Sequence, residues 1–233
     1  KDLIGTAYYY YSTSLVQKIA VILGKEQDAK EYLELMKNIK AAFQKEFISQ
    51  TGRVASNTQT AYVLALNFNL VQEDFKASAA KRLAADVEKF GHITTGFLGA
   101  SSVTKVLTDY GYNDLAFKLL FNKQYPSWLY PVTKGATTIW ERWDGIKRNG
   151  SFQDAGMNSF NHYAYGAVGK WIYSFVAGID FDPNNVGYKN IIMNPHAPKE
   201  LKNAKAEYHS IYGDISSSWK TENDTFTFDV QIP

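Results

Sequence analysis

Cysteine is absent from this chain, which excludes a disulfide framework, a thiol nucleophile and a Cys-ligated metal. The absence does not fix a compartment, because periplasmic and secreted enzymes often lack cysteine too. Histidine is scarce, and the four present (His92, His162, His196 and His209) lack metal-ligand spacing. Charge of one sign is missing as well: the net charge is only +2, so no basic face points to a nucleic-acid partner. The longest apolar stretch, near Ala164–Ile179, is too short to span a bilayer and contains Lys170, so no membrane partner is expected. No G-x-x-x-x-G-K-[ST], no G-x-G-x-x-G after a strand, no H-E-x-x-H and no EF-hand loop occurs. Neither a cofactor nor a metal is therefore expected. The chain opens on Lys1-Asp2-Leu3-Ile4, without Met and already in a helical pattern, and reads as a piece of a longer polypeptide.

Aromatics, by contrast, are abundant, with 16 Tyr, 14 Phe and 5 Trp. They suit carbohydrate surfaces as well as cores. The first 180 or so residues read as about eight helices, with starts recurring roughly every 20 residues. Leu15, Ile19, Ile22 and Leu23 share a face before Gly24, and Tyr32, Leu35, Met36, Ile39, Phe43 and Phe47 form a second stripe. Ser56 with Gln59 reads as a capping box, and Phe75, Ala79, Leu83, Val87 and Phe90 form a stripe stopped by Gly91. Gly111 closes a fifth helix and Asn113 caps a sixth, running to about Tyr125. A short seventh is expected near the tryptophan motif described next, and an eighth over Asn161–Ile179. Short connections make neighbours pack as antiparallel hairpins.

Beyond Asp182 the period changes. Tyr188–Met193, Ala204–Ile211, Asp214–Lys220 and Thr225–Ile232 are rich in β-formers, with turn signals at Tyr212-Gly213 and Asn223-Asp224. The expected organisation is thus a helical region over 1–182 and a meander of antiparallel strands over 183–233.

The densest chemistry lies in Gly135-Ala136-Thr137-Thr138-Ile139-Trp140-Glu141-Arg142-Trp143-Asp144-Gly145. One carboxylate stands between two indoles and beside a guanidinium. Indole faces give flat apolar walls for the C–H faces of a sugar ring. A carboxylate can activate water or stabilise positive charge developing at an anomeric carbon. The bland alternative is a buried Trp pair with a structural Glu141–Arg142 salt bridge. Asp144 is expected to hold the turn into Gly145 through an Asx-type hydrogen bond.

This stretch, preceded by Tyr125-Pro126-Ser127-Trp128, resembles the catalytic signature of the α-L-rhamnosidases of glycoside hydrolase family 78. Three more segments agree in order and spacing: Thr58–Leu66, His92–Gly99 and Met157-Asn158-Ser159-Phe160-Asn161-His162-Tyr163-Ala164-Tyr165-Gly166. The resemblance covers nearly the whole chain. It implies a mainly α fold, a partial (α/α)6 barrel of antiparallel helical hairpins followed by an incomplete antiparallel β-sandwich. It also implies hydrolysis of a rhamnose-containing glycan or glycoside with inversion, Glu141 being the general base and His162 a ligand of the sugar. Trp140 and Trp143 are the candidates for its wall, while Trp128 can equally anchor a loop. The family's general acid comes from an Asp/Arg/Glu-rich motif that has no counterpart here; Asp109, Asp144 and Asp154 have no spacing that promotes them to that role. By the family's mechanism the chain alone should be inactive. Two rival readings are a non-catalytic carbohydrate-binding fragment and a helical-toroid epimerase using His92 and His162 for proton transfer. His196 and His209 read as surface residues of the β region.

Overall fold

The computed structural model describes residues 1–233. They divide into two compact units, Lys1–Tyr165 and Gly166–Pro233. The chain is mainly α, with helical hairpins first and antiparallel strands after them.

In the first unit, α1 (Asp2–Ile22) and α2 (Glu26–Phe47) pack on each other across a turn at Gly24. Ile39 and Phe43 of α2 are buried, each worth about 1.5–3 kcal/mol of transfer from water. Next come α3 (Gln59–Asn67) and α4 (Glu73–Phe90), the latter ending on Gly91 in the left-handed conformation, φ +68°. The short α5 (Phe97–Ala100), α6 (Val103–Asp109), α7 (Asn113–Phe121) and α8 (Leu129–Thr133) follow. The centre is α3, which touches α1, α4, α5 and α6 and is buried from Ala61 to Leu66. Its Gln59 has no exposure at all, yet every polar atom is used: Nε2 donates to His92 O (3.3 Å) and Oε1 accepts from Thr94 N–H (2.8 Å). A buried amide that is fully satisfied fixes its partners, and those partners are the loop that leads to the site.

In the second unit, a 3-10 turn runs into α9 (Val168–Trp171), which widens to a π-turn over Ile172–Val176. Strands β1 (Ile179–Phe181) and β2 (Ile191–Met193) pair antiparallel. The meander β3 (Asn203–Ser210), β4 (Gly213–Glu222) and β5 (Thr225–Gln231) forms a second sheet with β4 central. Alternation puts Ile215, Ser217 and Trp219 of β4 on one buried face. Trp219 Nε1 donates to Val176 O (2.8 Å) and Ser217 Oγ to Ala177 O (2.5 Å), so the sheet is pegged to the end of the π-turn. Gly178 then turns at φ +81°, and a Cβ there would lie 2.2 Å from Pro195 N. Only glycine fits.

Several local expectations change. The helix containing Leu15, Ile19, Ile22 and Leu23 forms, but that apolar face is exposed; α1 instead buries Ala7, Thr13 and Ala20. Ser56 sits at φ +63° and cannot cap; Thr58 does, its Oγ1 accepting from Ala61 N–H at 3.3 Å. Asn113 begins α7 without a capping bond, and its Oδ1 is buried and unpaired. That helix stops at Phe121. The seventh helix precedes the tryptophan motif rather than joining it, and the eighth is the broken 3-10/α/π run above. His196 is no free surface residue: its ring stacks on Phe175 at 3.8 Å.

Candidate active site

Between Lys134 and Ala164 the first unit has almost no regular structure, so the backbone must be held by other means. Two short segments run side by side. Glu141 N–H donates to Ser159 O (2.8 Å) and His162 N–H to Ile139 O (2.8 Å), while Thr138 Oγ1 donates to Phe160 O. This pairing brings Glu141 and His162 onto neighbouring strands of chain. Ser159 N–H also donates to Glu141 Oε2 (2.8 Å). One carboxylate oxygen is thus anchored by the backbone, and Oε1 remains free for other work.

The His162 ring lies between Phe97 (4.9 Å, 13°) and Tyr163 (5.3 Å, 7°). Its Nδ1 accepts from Ala164 N–H at 3.3 Å. In the neutral ring this makes Nε2 the N–H donor, suited to a hydroxyl oxygen. His92 has the opposite arrangement: Nδ1 lies 2.9 Å from Ile93 O and donates to it, leaving Nε2 to accept.

The two indoles of the motif differ. Trp140 is buried and meets Phe160 edge-on at 4.9 Å. Trp143 is half-buried, stacks on Tyr165 at 3.6 Å and donates Nε1–H to Thr95 O (3.0 Å). Trp128 is an anchor: it is buried, and its Nε1 donates to Tyr165 O at 3.0 Å. Burial pushes the Tyr165 phenol up to about 12, with Tyr125 adding to the shift, so its hydroxyl stays protonated.

The Glu141–Arg142 salt bridge does not form. Arg142 Nε instead faces Asp144 Oδ1 at 3.7 Å, and Asp144 Oδ2 accepts from Gln153 Nε2 at 2.5 Å. Asp144 therefore ties the two arms of the 145–153 turn together rather than making an Asx turn. Asn158 Nδ2 donates to Gly145 O (3.1 Å), and a Cβ on Gly145 would come within 2.9 Å of Asn158 Oδ1 and 3.1 Å of Trp140. Gln153 carries no titratable group and no periodic signal, and Asn158 and Ser159 stand in the sequence only as members of the Met157–Gly166 motif, so their bonds to Asp144, Gly145 and Glu141 are not legible there. The other acids are engaged too: Asp109 with Lys105, and Asp154 Oδ1 with Gly156 N–H (2.8 Å). No group of three or more His, Asp or Glu gathers into a metal-holding cluster.

Two open cavities of about 470 Å³ each flank the motif. One is lined by Tyr125, Tyr130, Asp144, Lys147 and Arg148, the other by His92, Thr94, Thr95, Trp143 and Tyr165; Tyr125 and Arg148 belong to both.

A mainly α region that carries a carboxylate and a histidine on paired loop segments, with a tryptophan stacked on a tyrosine in the same loop system, fits the class of helical glycosidases. Residues 1–176 match the family described as the bacterial α-L-rhamnosidase six-hairpin glycosidase domain, and residues 178–233 match the bacterial α-L-rhamnosidase C-terminal domain. The chain belongs to this bacterial α-L-rhamnosidase family. It is 44% identical over its whole length to an α-L-rhamnosidase of Streptomyces avermitilis and 42% identical to one of Formosa agariphila, spanning 22% and 25% of those relatives. The crystal structure of the Streptomyces avermitilis enzyme complexed with L-rhamnose matches with a TM-score of 0.95 at 43% identity, over 100% of this chain and 22% of that one. The relatives are glycoside hydrolases, and this chain spans about a quarter of their length or less.

Proposed function

We propose that this chain forms part of an inverting α-L-rhamnosidase, with Glu141 as general base and a general acid supplied from outside these 233 residues. The free Oε1 of Glu141 takes a proton from water. The water oxygen then bonds the anomeric carbon from the face opposite the glycosidic oxygen, which leaves with a proton from the acid. An inverting pair needs its carboxyls about 6.5–9.5 Å apart to admit that water. The observation that supports the reading is the paired backbone of 138–141 and 159–162, with Glu141 Oε2 held by Ser159 N–H and His162 Nδ1 held by Ala164 N–H. In this reading His162 binds a rhamnose hydroxyl, and Trp143 with Trp140 behind it walls the sugar.

The missing acid is supported by the engagement of the three carboxylates weighed for the role: Asp109, Asp144 and Asp154 each hold a structural partner. The substrate is a glycan or glycoside ending in rhamnose, the sugar with which the Streptomyces avermitilis relative was crystallised. The test is hydrolysis of an aryl α-L-rhamnoside by the polypeptide carrying this chain. Glu141→Gln should lower turnover by roughly 10²–10⁴-fold while rhamnose still binds. Equal turnover in wild type and variant would end the assignment of the base.

A further inference from the structure

The two cavities that share Tyr125 and Arg148 have a charge imbalance that rhamnose, a neutral deoxy sugar, does not need. Residues Lys147 and Arg148 sit at the tip of a tight turn. It is closed by Lys147 N–H to Ser151 O (2.8 Å) and Gly150 N–H to Lys147 O (3.0 Å), and Asn149 Oδ1 accepts from both Ser151 N–H (3.1 Å) and Ser151 Oγ (2.8 Å). Gly150 takes φ +85°, a conformation that suits glycine. The tip is therefore built, not frayed.

From it the Arg148 guanidinium lies over the Tyr125 ring, 5.8 Å from the centroid, and its Nη2 donates to Tyr125 O at 3.4 Å. The guanidinium has further N–H donors beyond that bond. Neither Lys147 nor Arg148 pairs with a carboxylate; the one acid on this wall, Asp144, is already occupied by Arg142 and Gln153. The aromatic floor is equally fixed, Tyr130 meeting Tyr125 edge-on at 5.8 Å and donating its hydroxyl to Ile146 O at 2.9 Å. Uncompensated cations over an aromatic floor, in a cavity of about 470 Å³ that has room for one sugar ring, suit an anionic substituent with an apolar ring face beneath it.

We propose that this cavity is a subsite for a sugar bearing a carboxylate or sulfate, adjoining the terminal rhamnose, with Lys147 and Arg148 selecting the charge. The proposal rests on the rhamnosidase reading above for what lies next door. Binding tests it without turnover. Calorimetry would compare a rhamnosyl-glucuronate disaccharide, its rhamnosyl-glucose counterpart and a rhamnosyl-glucose 6-sulfate, on the polypeptide carrying this chain with the wild-type cavity and on its Lys147→Gln/Arg148→Gln variant, both with Glu141→Gln added to stop turnover. The wild type should bind an acidic ligand about tenfold tighter than the neutral one, a ratio that falls to about one in the variant and shrinks as salt rises. Arg148→Lys should retain part of the preference, because charge remains while the planar fork is lost. A preference for the uronate alone or the sulfate alone assigns the source of the anion and upholds the subsite. Equal binding of neutral and acidic ligands by the wild type, or a preference untouched by the double variant, overturns it. A preserved preference without hydrolysis of any rhamnoside would sink the rhamnosidase reading and leave the anionic subsite standing.

Discussion

The helices of the first unit and the loop system of residues 135–165 are held together by opposite means. In α2, α3 and α4 the work is done by apolar burial: Phe43, Val63, Leu64 and Leu83 are shielded from water, and few side-chain polar bonds cross between helices. In the loop, Gln153 bonds Asp144, Asn158 bonds Gly145 and Ser159 bonds Glu141, polar pegs between facing arms of the loop itself, while Trp143 bonds Thr95 in a segment far away in sequence. Apolar contacts are non-directional and give stability. Hydrogen bonds are directional and give position. The second kind is what holds one oxygen of the Glu141 carboxylate and leaves the other unbonded.

Substitutions that separate stability from position would break or sharpen this contrast. The largest stability effect should come from Phe43→Ala, a buried aromatic in α2, costing about 3–5 kcal/mol in urea unfolding. Where the fold survives, the sugar affinity should be nearly unchanged. Gly145→Ala should cost less, about 1–3 kcal/mol, because a Cβ presses on Asn158, Phe160 and Trp140. Its loss of turnover should nevertheless exceed that of Phe43→Ala, since the strain falls on the loop holding Glu141. Gln153→Ala removes one charge-assisted bond from a part-buried carboxylate and should cost about 1 kcal/mol, with kcat reduced more than stability. If Gln153→Ala left turnover intact, the idea that polar pegs position the site would fail.

The smallest effect lies in the second unit. His209 Nδ1 meets Asp214 Oδ1 at 2.6 Å on an exposed hairpin, and this hydrogen bond and charge raise the imidazole above its ordinary value. A raised folded value means that the pair's contribution is complete below the unfolded pKa and disappears as pH climbs through the folded one. A proton NMR titration should show His209 titrating late and returning to the ordinary range in Asp214→Asn. Unchanged titration would contradict the pairing.

How much could be read in advance follows the same division. The periodic stripes of α2 and α4 and the alternation of β4 were legible because burial imposes a period, whereas the largely exposed β3 and β5 were legible from their β-forming residues and the turns between them. Burial also has direction, which a stripe does not give: Leu15, Ile19 and Ile22 mark a helix, and the face they share is exposed in α1. The three-residue β1 carries too few residues to show alternation, and it follows the tight turn at Gly178. Among the candidate site residues, Glu141 and the indoles stood out by chemical type, and His162 by the motif in which it stands. The bonds that support them did not, because Gln59, Asn158 and Ser159 stand in the sequence only as members of motifs and Gln153 in none, and residue type does not say which group a side chain will meet.

The central claim is that Glu141 takes the proton from the attacking water, and azide tests it most directly. Azide is already an anion and needs no base. With an aryl α-L-rhamnoside, Glu141→Ala should be nearly inert in plain buffer and should regain turnover with azide, giving the β-configured rhamnosyl azide by NMR. Full turnover of Glu141→Ala without azide, or an α-configured azide product, would contradict the account.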